Sequence, residues 1–187
     1  MNTFTWKIDN YKDKKKNITI TSETFSIEQY NFCIKVYPDG DGVGRNTHLS
    51  VFFAITKGEN DDTLQWPFHA AIQMSLLNGK GEVICSDKMK TDFRSVCNRK
   101  PENGCNIASG FPKFIRLQTL ESILNDDTLI IKFEILEILP SIVDLPAIKQ
   151  SENNRKQQLL NLMKEFTVLN KRQMDVIAAI NVILDKM

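Results

Sequence analysis

Short apolar or β-branched segments recur over the first 138 residues, and the clearest of them alternate hydrophobic and polar positions with the period of two that is typical of half-buried β-strands. In YNFCIKVY (30–37), Tyr30, Phe32, Ile34 and Val36 share one face and the residues between them share the other. Turn residues such as PDGDGVG (38–44) separate the segments. The pattern predicts eight strands, at residues 4–8, 17–20, 30–37, 47–55, 66–78, 82–86, 111–117 and 128–136.

These strands predict the fold class of the first part of the chain. Pro67 places the start of the 66–78 strand near a sheet edge, and LQTLESILNDD is predicted to hold one short helical turn. Long helices are not interleaved with the strands, so a parallel sheet is not indicated. The sequence therefore predicts a mostly β protein, an eight-stranded antiparallel β-sandwich over residues 1–138.

The pattern changes after residue 138. Residues 139–151 contain two prolines and are predicted to form a linker. Residues 152–187 contain neither proline nor glycine and are predicted to form a long amphipathic helix, capped by Ser151 or Asn153. The positions expected to face a partner helix step by three and four residues: Leu159, Leu162, Phe166, Leu169, Gln173, Val176, Ile180 and Ile183.

The spacing of this helix is typical of a coiled coil with one polar layer at Gln173. Met163, Ile177 and Leu184 widen the apolar stripe, as they would in a thicker bundle or in a helix packed on a globular partner. Isoleucine at adjacent seam positions favours three strands over two. We expect a homo-oligomer, with a trimer preferred and a dimer next, and packing on the chain's own sandwich remains the alternative.

Charge and composition exclude several classes of function. Lys and Arg number 24 and Asp and Glu 23, so no basic surface for nucleic acid or an anionic membrane is expected. The sequence shows no apolar signal region and no segment long enough to insert in a membrane. Because the four cysteines lack CxxC spacing, we expect no metal and no cofactor. Cysteines without an evident pairing, in a sequence without a signal region, favour a reducing, cytoplasmic location.

Enzyme motifs are also missing from the sequence. It contains no nucleophile elbow, phosphate-binding glycine loop or HExxH helix, so we expect no catalytic residues. VYPDGDGVGRNTHLSVFF (36–53) and NIASGFPKF (106–114) instead mix turn residues with aromatic and polar groups. Such stretches indicate a binding surface rather than a catalytic site.

Four segments resemble the MATH domain of the tumour-necrosis-factor-receptor-associated factors (TRAFs). They are FTWKIDNY, CIKVYPDGDGVGRNTHLSVFFAITKGENDDTLQWPFHAAIQMSLLN, NIASGFPKF and NDDTLIIKFEI, in the family's order and spacing over about residues 4–136. The closest resemblance is to the TRAFs that bind receptor tails. It implies an eight-stranded sandwich that binds an extended peptide as an added strand at a sheet edge. It assigns peptide contact to Lys35, Tyr37, Asp41, Phe52, Met89, Ser95, Val96, Cys97, Ser109 and Gly110.

Each assigned position has an implied role. Lys35 and Tyr37 correspond to an Arg-x-Tyr pair that meets an acidic peptide residue, with the loop residue Asp41 nearby. Phe52 corresponds to a phenylalanine that packs on the peptide, and residues 109–110 to a Ser-Gly that contacts its backbone and its leading proline or small residue. An arginine can bind a carboxylate through two parallel hydrogen bonds, whereas the lysine here supplies only a compact positive charge.

The remaining positions depart from the family pattern. Ser95, Val96 and Cys97 correspond to three serines that grip a glutamine or glutamate, so one hydroxyl is lost and another is replaced by a weaker thiol. Met89 stands where an aromatic residue lines the pocket, and methionine is more adaptable and less rigid. We therefore expect a peptide of the type Pro/Ser-x-Gln/Glu-x-x-Asp with an altered preference at the Gln/Glu position.

The resemblance implies a non-enzymatic signalling adaptor. Its expected partners are cytoplasmic receptor tails or adaptor proteins, recognised through short peptides, with oligomerisation adding avidity. The MATH-like strands start directly at Met1 and the helix follows them, so a chain with these ends would carry no ubiquitin-ligase module. Such a chain would be a competitor of complete TRAFs, or a substrate-recognition arm for a separate ubiquitin ligase or protease.

Overall fold

The computed structural model describes residues 2–124, 127–140 and 145–184. The chain divides into two compact units, Met1–Ser141 and Ile142–Met187. The first unit is an antiparallel β-sandwich, as the alternating pattern predicts, and the second is a long helix.

The sandwich has nine strands among the described residues, one more than predicted. They are β1 (Thr3–Asp9), β2 (Ile20–Thr21), β3 (Phe25–Ile27), β4 (Tyr30–Tyr37), β5 (His48–Thr56), β6 (Ala70–Leu77), β7 (Val83–Lys90), β8 (Ser109–Arg116) and β9 (Thr128–Ile138). One sheet has the order β1-β9-β6-β7, and the other has the order β2-β4-β5-β8 with β3 also paired to β4. The connections include two short helices, α1 (Tyr11–Lys14) and α2 (Leu117–Ile123), and two 3-10 turns at Gly42–Gly44 and Val96–Asn98.

The core lies between the two sheets and is rich in phenylalanine. Phe32 on β4 is fully buried, and its ring centroid lies 5.3 Å from those of Phe68 and Phe133 and 6.2 Å from that of Phe53. Aromatic pairs at such distances add to the free energy of apolar burial. The residues of β4 that face the core are those that the alternation predicts.

The strand that sequence reasoning missed is β3. It pairs with β4 beside β2, and the two short strands are interrupted around the buried residue Ser22. Ser22 Oγ accepts a hydrogen bond from Ile34 N at 2.9 Å, so a side chain replaces a main-chain acceptor in the ladder. A polar run interrupts the alternation here, which hides the pairing from a period-based prediction.

The predicted 66–78 strand is shorter, and it is not at an edge. β6 begins at Ala70 and lies between β9 and β7. Pro67 therefore precedes an interior strand instead of marking a sheet edge. The N–H of Phe68, the residue after Pro67, donates to Asn98 O at 2.7 Å, outside the sheet, which fits the exclusion of proline from central strands.

The second unit is helix α3 (Leu145–Leu184). It begins within the predicted linker, before the expected start at Ser151, because Pro146 falls in the first turn, where its missing N–H costs no helical hydrogen bond. The seam residues Leu159, Leu162, Phe166 and Leu169 are 60–66% exposed. Gln173 is exposed as well, whereas the side chains of Val176, Ile180 and Ile183 lie outside the described residues. Within the described part of the chain, no helix has the length and apolarity to cross a membrane.

Candidate functional site

A row of residues crosses the outer face of the five-stranded sheet. Thr21 pairs with Lys35, Lys35 with Phe52, and Phe52 with Gly110. Facing residues of antiparallel strands project to the same side, and the neighbours Ile34 and Phe53 are buried in the core. Lys35 and Phe52 therefore share the outer face, where both are half-buried.

Tyr37 extends this row into an aromatic pair. Its ring meets that of Phe52 edge to face, with centroids 5.6 Å apart and planes at 84°. Both rings are half-buried. The pair offers an apolar surface of fixed geometry on a face that is otherwise largely polar.

Gly110 lets β8 lie close to β5. A Cβ at this position would lie 2.4 Å from Val51 O and 2.6 Å from the Cα of Phe52. No larger residue fits without displacing backbone. The row thus ends at β8, whose other side pairs with no strand among the described residues and forms the free edge of the sheet.

The loop before β5 is fixed to β8 by one buried serine. Ser50 Oγ accepts a hydrogen bond from Asp41 N at 2.8 Å and donates one to Pro112 O at 2.6 Å. Gly44 approaches the same carbonyl so closely that a Cβ would lie 1.7 Å from Pro112 O. These contacts place Asp41, whose carboxylate is 3.5 Å from Arg45, at the Pro112 end of the free edge.

The Ser95–Cys97 segment lies at the opposite end of the free edge. Asn106 holds it there, because its Nδ2 donates to Cys97 O at 3.1 Å while its N donates to Ile55 O at 2.9 Å. Ser95 Oγ accepts a hydrogen bond from Cys97 N at 3.2 Å. Val96, in the middle of the segment, is 53% exposed.

The free edge of β8 spans the distance between these two ends. Pro112 lies six positions after Asn106, which corresponds to about 20 Å of extended chain, and β8 forms this edge from Ser109 onward. Ser109 lies within this stretch, opposite Phe53. Met89 belongs to the other sheet, on its edge strand β7, which approaches β8 on the same side of the sandwich. Met89 is half-buried against the core.

The ammonium group of Lys35 does not lie beside Asp41. Lys35 Nζ contacts Cys105 Sγ at 3.8 Å. Cys105 forms a bridge with Thr56, at the end of β5 that holds the Ser95–Cys97 segment. Lys35 and Asp41, which the resemblance places together, therefore present their charges toward opposite ends of the free edge.

Comparisons with known proteins bear on this arrangement. A family model described as MATH domain matches residues 3–135. The chain belongs to the MATH-domain family. Human TNF receptor-associated factor 5 is 37% identical over 139 residues, which cover 68% of this chain and 25% of that protein. Human TNF receptor-associated factor 2 is 36% identical over 140 residues, which cover 69% of this chain and 28% of that protein.

A solved structure shows a similar fold. Notothenia coriiceps TRAF5 superposes with a TM-score of 0.69 and 29% identity, and the match covers 75% of each chain. The expected TRAF-like MATH domain and its β-sandwich are therefore confirmed. The chain spans about a quarter of the length of the curated relatives it matches.

Sequence reasoning missed three residues that shape the surface of this MATH domain. Ser50 was detectable as the one hydroxyl residue inside an otherwise apolar stretch, LSVFFAI. Asn106 and Cys105 carried no such signal, since their contacts join segments distant in sequence. Residues of the described segments form no group of three or more His, Cys, Asp or Glu that could hold a metal ion.

Proposed function

We propose that this MATH domain binds short extended peptides of protein partners along the free edge of β8. The observation that carries the proposal is the row of Lys35, Phe52 and Gly110, which joins the half-exposed Tyr37–Phe52 pair to that edge. A peptide strand added there gains main-chain hydrogen bonds from β8, while side chains of the row read alternate peptide residues.

The length and chemistry of the edge favour a peptide of the type Pro/Ser-x-Gln/Glu-x-x-Asp. About 20 Å of edge accommodates roughly six residues. The Tyr37–Phe52 pair packs on apolar parts of the peptide, and the Lys35 ammonium meets an acidic residue. Ser95, Val96 and Cys97 meet the Gln or Glu with fewer hydroxyl groups than three serines would supply.

The function is that of a non-enzymatic signalling adaptor in the cytoplasm. The names of the relatives describe those proteins as TNF receptor-associated factors, which supports receptor tails or their adaptors as the partner class here. The exposed seam of α3 supports a homo-oligomer, preferably a trimer. Joining weak sites in this way raises avidity by roughly 10²–10⁴ when the targets are clustered.

Titration of an acidic peptide of this type tests the proposed site. Phe52→Ala removes half of the aromatic pair, and we expect it to cost about 1–3 kcal/mol of binding free energy through lost apolar burial. Lys35→Gln is expected to cost about 1 kcal/mol or less, because solvent screens a half-exposed ion pair.

Ile18→Ala is the matched control. Ile18 is 88% exposed and precedes β2, at the edge of the sheet opposite β8. It should leave peptide affinity unchanged. Normal binding by a folded Phe52→Ala variant, with thermal stability like that of the control, would place the groove elsewhere.

A further inference from the structure

Three groups with complementary chemistry meet beside the proposed peptide site. The thiol of Cys105 is exposed, and Lys35 Nζ donates a hydrogen bond to its sulfur at 3.8 Å. Thr56 lies opposite Cys105 in the bridge, is only 8% exposed, and its Oγ1 has no hydrogen-bond partner among the described residues. A buried hydroxyl without a partner is costly, and because facing residues of an antiparallel bridge project to the same side, an oxygen atom added to Cys105 would lie on the side of this hydroxyl.

The other cysteines are less accessible. Burial raises the pKa of the Cys33 thiol, an effect that the nearby Lys35 ammonium only partly opposes. Burial also raises the pKa of the Cys85 thiol. Cys97 is half-buried. Because thiol oxidation follows exposure and thiolate character, Cys105 is the cysteine that an oxidant reaches first.

We propose that Cys105 is a modification site for hydrogen peroxide, at which the oxidised sulfur pairs with Lys35 and weakens recognition of an acidic peptide residue. The effect on peptides rests on the proposed function, whereas the modification itself does not. The partner chemistry is a small neutral peroxide, which needs no binding pocket to reach an exposed thiol.

The reaction is a two-electron oxidation of sulfur. The Cys105 sulfur attacks one peroxide oxygen, a sulfur–oxygen bond forms, and the oxygen–oxygen bond breaks. The departing hydroxide takes up the thiol proton and leaves as water, so one thiol and one peroxide give one sulfenic acid and one water. A second peroxide oxidises the sulfenic acid to a sulfinic acid, again with release of water.

The oxidised group changes the charge beside Lys35. A sulfinate carries a negative charge and accepts hydrogen bonds, so it pairs with the ammonium and accepts from Thr56 Oγ1. The same ammonium is then no longer free for a peptide carboxylate. Since an exposed ion pair contributes about 1 kcal/mol at most, we expect oxidation to weaken an acidic peptide by up to about 5-fold.

The first experiment measures the modification alone. The full chain is treated with hydrogen peroxide and a sulfenic-acid-specific dione, and labelling of each cysteine is followed by mass spectrometry. We expect Cys105 to be labelled first and Lys35→Gln to slow its labelling, because the Lys35 ammonium next to the sulfur stabilises the hydroxide that departs from the peroxide. Labelling of Cys105 no faster than that of Cys85, or at the same rate in Lys35→Gln, would overturn the proposal.

Thr56→Val tests the buried hydroxyl. The substitution keeps the shape of the side chain and removes the donor, so the sulfenic acid on Cys105 should be converted further or reduced faster. Lys113→Gln, a change of an exposed lysine on β8, is the matched control for charge and should leave labelling unchanged. Equal lifetimes of the sulfenic acid in Thr56→Val and the parent would remove Thr56 from the site.

The second experiment measures the consequence for binding. One peptide with a terminal Asp and the same peptide with Asn are titrated against reduced and peroxide-treated protein. Oxidation should weaken the Asp peptide more than the Asn peptide, Cys105→Asp should reproduce this difference, and Cys105→Ser should abolish the sensitivity to peroxide. Equal weakening of both peptides contradicts the proposal. If reduced protein binds neither peptide, the proposed function is wrong, and the labelling experiment alone decides the modification site.

Discussion

At the residue scale, single atoms decide how the outer face of the sandwich is built. Gly110 leaves room for β8 against Val51 and Phe52, where a Cβ would meet backbone at 2.4 Å and 2.6 Å. Ser50 connects the loop at Asp41 to Pro112 with one donated and one accepted hydrogen bond. The proposed peptide site therefore depends on the missing side chain of Gly110 and on Ser50, a buried residue that need not touch the peptide.

Substitutions in the Ser95–Cys97 segment test how the domain recognises a glutamine of the peptide. Replacing Val96 and Cys97 by serine restores two hydroxyl groups, and we expect sharper discrimination between Gln and Ala at one peptide position. The added hydrogen bonds should contribute about 0.5–1.5 kcal/mol each. Competition between the two peptides measures the ratio of affinities. An unchanged ratio in a folded variant would show that this segment does not line the pocket.

The buried phenol of Tyr11 is expected to make the stability of the fold depend on pH. Burial raises the pKa of its phenol, and the charges of Asp39 and Glu121 raise it further. The unfolded chain releases the proton near the ordinary value of 10.0, whereas the folded chain keeps it. The contribution of the neutral Tyr11 phenol to the free energy of unfolding is therefore complete below about pH 10 and is lost as pH rises above it.

Tyr11→Phe should reduce this alkaline loss of stability. Denaturation midpoints at about pH 8 and about pH 11 should differ less in the variant than in the parent. A variant that loses stability as steeply as the parent would show that the Tyr11 phenol is not the group responsible.

At the scale of elements, strict alternation was sufficient to predict the strands that face both core and solvent. β4 follows this alternation, whereas β5 is an almost continuous apolar run, and the predicted ends of both strands lie within one residue of the observed ends. β3 was missed because Ser22 supplies a side-chain acceptor that the period does not encode. Helix α3 begins earlier than the sequence predicts, because the first helical turn tolerates the proline that the pattern treats as a break.

Helix α3 is expected to hold several chains together. In the described part of the seam, large apolar side chains are exposed. We expect the full chain to sediment as a trimer, and an Ile180→Asp/Ile183→Asp double variant to sediment as a monomer, because paired charges in a seam are costly to bury.

Asn154→Asp/Asn161→Asp is the matched control for this helix. Both residues are exposed and lie on the side of the helix away from the seam. Their substitution adds the same two negative charges as the Ile180→Asp/Ile183→Asp variant. The control should remain a trimer. A full-length chain that is monomeric at micromolar concentration would contradict the avidity proposal.

At the scale of the whole molecule, the two compact units are expected to fold separately. The core residues of the sandwich lie between Ile8 and Ile135, so a fragment of residues 2–140 keeps all of them. We expect the fragment to unfold cooperatively at the same temperature as the sandwich within the full chain, measured by calorimetry. A fragment that melts several degrees lower would show that the helix contributes to the stability of the sandwich.

The candidate site was predictable from sequence only in part. The resemblance placed Tyr37, Phe52 and Gly110 at positions that the structure brings together in space. It did not predict that the Lys35 ammonium lies at Cys105, a contact between residues 70 positions apart. Local periodicity carries no information about such pairs, because they depend on how a loop returns across a sheet.

The free edge of β8 also bears on how the protein avoids aggregation. An unpaired strand is a template for any extended chain, including the β8 of a second molecule, and clustering by α3 would raise the local concentration of such edges. The pairing of β8 with β5 shifts register between Leu49 and Val51, and this bulge bends β8 around Pro112, so a long straight ladder between two such edges is disfavoured there. The stretch that can accept a strand without interruption is short, which suits a brief peptide motif and disfavours the continuous cross-strand pairing from which fibrils grow.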